Sequence, residues 1–156
     1  MLALASPPRQ LLLIDDYAPY RQTLAWLLRM AGHTVWEASD GPAGLALLRT
    51  NPVEMVLTDL DMPGLTGWDV ARLVNATHPH VPVILVTGNA DAEMPERSGS
   101  PRVEAILRKP FGADEILSLL DGLPWAARRA AGDTHGGREG ASTAGNGLAV
   151  LQTGVG

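Results

Sequence analysis

Between Gln10 and about Leu120 the chain alternates short apolar runs with segments of helical period. The runs are LLLI (11–14), VEMVLT (53–58), VPVILVT (81–87) and VEAIL (103–107), with a weaker, alternating one at HTVWEA (33–38). Continuous apolar runs of this length suit strands covered on both faces, as in a parallel sheet. In 18–31, Tyr20, Leu24, Leu27, Leu28 and Ala31 recur at helical spacing; Pro19 suits the first turn and Gly32 the stop. Asp40 is placed to cap a helix over 41–50 that offers Leu45, Leu47 and Leu48 for burial. Further helices are predicted over 67–77, carrying Trp68, Ala71, Leu73 and Val74, and over 112–121, carrying Ile116, Leu119 and Leu120. Strand–helix alternation five times over predicts an α/β doubly wound sheet.

The pattern is poorest over 88–102, GNADAEMPERSGSPR. A short helix around 90–97 is expected there, interrupted by Pro95 and ended by Ser98-Gly99-Ser100-Pro101. Residues 1–9, with Pro7-Pro8, read as a flexible lead, and 10–121 as the folded domain. Residues 122–131 read as a helical extension with Trp125 packing, and 132–156 as a Gly-rich tail expected to be disordered. That tail holds a short apolar patch, Leu148 to Leu151.

Composition narrows the function. A net charge of -5 argues against a basic nucleic-acid face, so direct DNA binding is not expected. With no cysteine there is neither a disulfide framework nor a thiolate metal site. No apolar run approaches the roughly 20 residues that span a bilayer. The opening MLALASPP lacks the basic start and apolar length of a signal peptide, so the cytoplasm is the expected location. Of the 12 basic residues only Lys109 is a lysine; the rest are arginine.

In an open parallel sheet, ligands bind outside the carboxyl ends of the strands. The first predicted strand ends in Asp15-Asp16, the third in Asp59, the fourth in Thr87 and the fifth in Lys109. The weak second strand ends in nothing comparable. Carboxylates gathered at one edge repel one another, and burial raises that cost. A divalent cation with oxygen ligands, Mg²⁺ or Mn²⁺, relieves it and commonly accompanies a phosphate. A carboxylate can accept a phosphoryl group covalently, with a cation and a hydroxyl stabilising the phosphoryl oxygens. Alone, each piece has a plainer reading. Asp15-Asp16 would cap a helix. Asp59 would cap a turn in DLDMPG. Thr87-Gly88 would be an ordinary strand end, and Lys109 a solvated charge. Asp69, Asp114 and Glu115 suit helix first turns as dipole partners. His33, His78, His80 and His135 share no metal-site spacing, and the four tryptophans read as packing or partial surface.

Asp15-Asp16, VLTDLDMPGLTG (56–67), PVILVTG (82–88) and RKPF (108–111), in that order and each at a strand end, resemble the receiver domain of two-component response regulators. The resemblance covers about residues 10–121. It implies a five-stranded, flavodoxin-like parallel sheet of order 2-1-3-4-5. It implies that Asp59 accepts a phosphoryl group from a sensor histidine kinase or a phosphotransfer protein. Asp15, Asp16 and Asp59 would hold Mg²⁺, with the backbone carbonyl of Asp61 as a further ligand. Thr87 would turn toward the phosphoryl oxygen, Lys109 would pair with it, and Lys109–Pro110 would be cis. A compact ammonium suits that place better than the broad fork of arginine.

The family pattern is departed from at Ile106, where an aromatic residue is usual, and in the interrupted 88–102 segment. Order–disorder of that segment is the expected output device, delivered to a downstream protein not identified by the sequence. On this reading the chain phosphorylates and dephosphorylates itself and is not a turnover enzyme. Two other classes stay open. One is a phosphatase of the haloacid-dehalogenase type, suggested by Asp59-Leu60-Asp61 but opposed by the order of the motifs. The other is a receiver-like scaffold that binds without phosphorylation.

Overall fold

The computed structural model describes residues 7–89, 91–92 and 99–123. Five strands, β1 (Gln10–Ile14), β2 (Thr34–Ala38), β3 (Met55–Asp59), β4 (Val83–Thr87) and β5 (Ala105–Arg108), form one parallel sheet of order β2-β1-β3-β4-β5. The helices are α1 (Ala18–Met30), α2 (Gly41–Thr50), α3 (Gly67–Thr77) and α4 (Ala113–Asp121). The doubly wound sheet and its strand order are those implied by the sequence.

Period-two alternation in β1 sorts the core into two layers. Leu12 and Ile14 join Leu48 of α2 and Val70, Ala71 and Val74 of α3. Leu11 and Leu13 point the other way, to Leu24, Ala25 and Leu28 of α1 and Ile116 and Leu120 of α4. Both faces of the central strands are therefore covered, which is why β1, β3 and β4 read as unbroken apolar runs. β5 is the exception, with every residue partly or well exposed.

Local chemistry sets the helix ends. Pro19 lies in the first turn of α1, and Gly32, at φ 98°, takes the left-handed turn after it. Asp40 caps α2 by accepting from the Ala43 amide at 2.8 Å. In α3 the Thr66 hydroxyl and the Asp69 carboxylate exchange bonds with each other's backbone amides, a capping box. Those bonds hold the Asp69 carboxyl below the usual carboxylate range, so its role exceeds that of a dipole partner.

Several sequence expectations need correction. β3, β4 and β5 each start two residues later than their apolar runs, because Val53, Val81 and Val103 are buried in the α2/α3 layer but lie outside the ladder. Burial and strand pairing are separate demands, and an apolar run records only the first. In α3, Ala71 and Val74 are buried as expected and Trp68 packs against them, but Leu73 lies outward, 39% exposed, and Val70 takes the inward place. Arg9, expected in the lead, is instead buried: its carbonyl accepts from the Thr34 amide at 2.9 Å, and its guanidinium lies 3.5 Å from Glu54. Most of the helix expected over 90–97, the extension over 122–131 beyond Leu123, and the tail with its apolar patch lie outside the described residues.

Candidate phosphoacceptor site

The carboxyl ends of β1, β3, β4 and β5 converge on one edge, and the loops leaving them carry the polar groups. Asp15, Asp16 and Asp59 each bring a carboxylate oxygen to within 4.8 Å of the others. Asp15 is 1% and Asp59 8% exposed, whereas Asp16 faces solvent. Asp15 divides its oxygens: Oδ1 accepts from the Tyr17 amide at 2.9 Å, and Oδ2 from Lys109 Nζ at 3.0 Å. Asp15 therefore does not cap α1, whose N-cap is Tyr17 without a side-chain cap; one oxygen makes a local bond to the Tyr17 amide and the other faces Lys109.

Lys109 follows the last residue of β5. Its backbone amide donates to the Thr87 carbonyl at 2.8 Å, and the peptide bond to Pro110 is cis. Its ammonium lies 3.0 Å from Asp15 and 3.7 Å from Asp59, and 4.0 Å from the centroid of the Tyr20 ring. Tyr20 in turn meets Phe111 edge-on, with centroids 6.1 Å apart. Cation–π attraction and the two carboxylates thus fix the ammonium from different sides.

Charge at this edge is not balanced. Burial pushes the Asp59 carboxyl above its ordinary range; Lys109 opposes the rise, and Asp15 and Asp16 add to it. Burial, then the Asp15 and Asp59 carboxylates, also raise the Tyr20 hydroxyl above the usual phenol range. Three carboxylate oxygens in one small space, with a single ammonium among them, form a donor set suited to a hard divalent cation such as Mg²⁺. The loop after β3 is closed tightly beneath Asp59: a Cβ at Gly67 would lie 2.6 Å from the Asp59 carbonyl oxygen and 2.8 Å from Leu60 Cα. Only glycine lets α3 start so close to the end of β3.

Thr87 and Asp61 complete the edge but stand apart from the carboxylate group. The Thr87 side chain is wholly buried, its hydroxyl donating to Asp61 Oδ2 at 3.3 Å. Asp61 itself is exposed. Three contributors were missed in the sequence: Arg21, Glu37 and Tyr20. Arg21 donates from Nη1 to the Asp15 carbonyl at 2.7 Å, and Glu37 of β2 holds both Arg21 and Arg29, at 3.5 and 3.0 Å. The second strand ends in no site residue, but from within it Glu37 buttresses Asp15 through Arg21. The signal was the polar position inside the alternating run of β2, with arginines on the facing helix. Tyr20 was read only as a helix core position, although the first turn of α1 necessarily sits at this edge. Of the histidines, His33 is buried and takes a backbone bond, and the His78 and His80 rings lie 6.4 Å apart; neither joins the site. Among the described residues no helix is long and apolar enough to cross a membrane.

The model of the response regulator receiver domain matches residues 11–121. The chain is 35% identical over 115 residues to the chemotaxis protein CheY of Pseudomonas aeruginosa, covering 72% of this chain and 93% of that protein. Among solved structures, a response regulator receiver domain protein of Clostridium thermocellum superposes with a TM-score of 0.68 at 30% identity, over 79% of this chain and 98% of that one. The Thermotoga maritima response regulator TrrA, solved in complex with Mg²⁺-BeF, matches with a TM-score of 0.65 at 23% identity, over 72% and 96% of the two chains.

Proposed function

Given that the chain belongs to the response regulator receiver family, we propose that it accepts a phosphoryl group on Asp59 and signals by phosphorylation-dependent protein binding. The observation that carries this reading is the place of the Lys109 ammonium, between Asp15 and Asp59 at the carboxyl edge of the sheet. An Asp59 carboxylate oxygen attacks the phosphorus of a phosphohistidine, forming a P–O bond as the P–N bond breaks. Lys109 faces Asp59, so it can shift from the carboxylate to a phosphoryl oxygen without crossing the site. Thr87, at the end of the neighbouring strand, supplies a hydroxyl to a second oxygen. Asp15, Asp16 and Asp59, with the Asp61 carbonyl, would hold Mg²⁺, which when bound neutralises charge on the phosphoryl oxygens. Attack of water on the phosphorus then returns Asp59 and inorganic phosphate, so no small-molecule substrate is turned over.

The phosphodonor is a sensor histidine kinase or a phosphotransfer protein, and it must cover the edge that carries Asp59. Helix α1 starts at that edge and presents exposed Pro19, Thr23, Trp26 and Met30 at helical spacing, with Trp26 64% and Met30 70% exposed. This uncharged stripe supports α1 as the surface the donor covers. On this reading the receiver works in the cytoplasm and signals through a downstream protein, without direct DNA binding. Incubation with Mg²⁺ and acetyl phosphate, followed by intact mass, tests the reading. A gain of one phosphoryl group that disappears in Asp59→Asn is expected. No gain with any donor would move the chain to the scaffold class.

A further inference from the structure

The Thr87 hydroxyl has one proton to donate and, in this structure, gives it to Asp61 Oδ2 at 3.3 Å. Its oxygen also accepts from the Asn89 amide at 3.0 Å. Both sides of the hydroxyl are thus engaged, and neither partner is Asp59. Thr87 has no exposed surface, so the proton can be redirected only within the protein. Asp61 belongs to the loop that leaves β3, where the Gly67 amide returns to the Leu60 carbonyl at 2.9 Å. The bond therefore joins the segment just after β3 to the last residue of β4.

The aromatic partner expected for Thr87 is missing. Ile106 lies opposite Leu85 in the β4–β5 register and packs into the α2/α3 layer. What holds Thr87 must come from elsewhere, and the side chain its hydroxyl reaches is Asp61.

We propose that Asp61 is a positioning residue that holds the Thr87 hydroxyl away from the acceptor until Asp59 is phosphorylated. The exchange of that hydroxyl from the Asp61 carboxylate to a phosphoryl oxygen is then the switching event at β4. This rests on the aspartyl-phosphate reading above and deepens it. A hydroxyl donates to one acceptor at a time, so the Asp61 bond competes with the active arrangement and lowers apparent affinity for a phosphoryl mimic. Because Asp61 is exposed, its bond sits at the weak end of those to charged groups.

Two experiments test it. The first needs neither metal nor phosphate. Three-bond couplings to the ¹³C-labelled Thr87 methyl report its χ1 rotamer in the resting protein. Wild type should show one rotamer and Asp61→Ala an average of two; identical couplings would overturn the proposal. The second is beryllofluoride titration with Mg²⁺, followed by ¹⁹F NMR. Asp61→Ala should lower the half-saturating concentration roughly fivefold. In Thr87→Val, which lacks the hydroxyl, the same substitution should change it less than about twofold. An equal gain in both backgrounds would mean that Asp61 acts only by repelling the anion, and would overturn the switch. Wild-type protein that takes no beryllofluoride at Asp59 would defeat the phosphoacceptor reading instead, while the couplings would still decide whether Asp61 holds Thr87.

Discussion

The two ends of the sheet treat buried charge in opposite ways. At the amino end, Arg9 lies 3.5 Å from Glu54, Glu54 Oε2 accepts from the Gln10 amide at 2.8 Å, and His33 Nδ1 accepts from the Arg9 amide at 3.1 Å. Opposite charges meet there, and each group stands beside a partner it helps to satisfy. At the carboxyl end three carboxylates face one ammonium. The first arrangement is what folding alone would select, since buried charges are kept only when paired. The second costs stability and has to be explained by something that binds. Polarity does not separate the two ends; the surplus of one sign does.

The comparison can be broken most directly at the amino end. Arg9→Met should destabilise the fold by about 2 kcal/mol, because it leaves the Glu54 charge without its cation. Urea denaturation checks this, and a loss below about 0.5 kcal/mol would mean the pair is screened by solvent. The carboxyl end should answer to metal instead. Mg²⁺ at ten times its dissociation constant should raise stability by about 1.4 kcal/mol. Asp15→Asn should lose that increment and Arg9→Met should keep it. Equal responses in both variants would erase the distinction.

Next in size, and opposite in sign to the Arg9 change, Asp59→Asn should stabilise the metal-free protein by on the order of 1 kcal/mol, since it removes a buried charge from a repelling group. A thermal midpoint higher by a few degrees is the expected result. A lower midpoint would show that the Lys109–Asp59 attraction outweighs the repulsion.

The smallest effect belongs to His33. Burial lowers its pKa below the ordinary 6.5, Asp121 and Glu54 oppose the change, and Arg9 adds to it. The folded state thus prefers neutral imidazole, and the unfolded chain takes up the proton first. Stability contributed by His33 is complete above about pH 6.5 and falls as pH is lowered toward the folded-state pKa. Denaturation midpoints between pH 7.5 and 5.5 should decline less in His33→Asn than in wild type.

How legible the molecule was depends on the kind of interaction. Strand order could be inferred only through the motif resemblance. The existence of strands and helices followed from period, because burial on two faces leaves β1, β3 and β4 apolar except at their ends. Strand starts did not follow, since Val53, Val81 and Val103 are buried without pairing. Asp15, Asp16, Asp59, Thr87 and Lys109 could be picked out as strand-end residues, because a parallel sheet delivers strand ends to one edge. Arg21, Glu37 and Tyr20 could not, because each reaches the site from within an element whose other residues serve the core.

By itself, then, the sequence determined which residues arrive at the carboxyl edge and that their charges do not cancel. That much is a matter of residue type and strand count. Only the tertiary structure decided how they divide their bonds. Asp15 gives one oxygen to the Tyr17 amide and the other to Lys109, and Thr87 turns its proton to Asp61. Such choices depend on angles and separations of a few tenths of an ångström between strands distant in the chain. No local pattern records them.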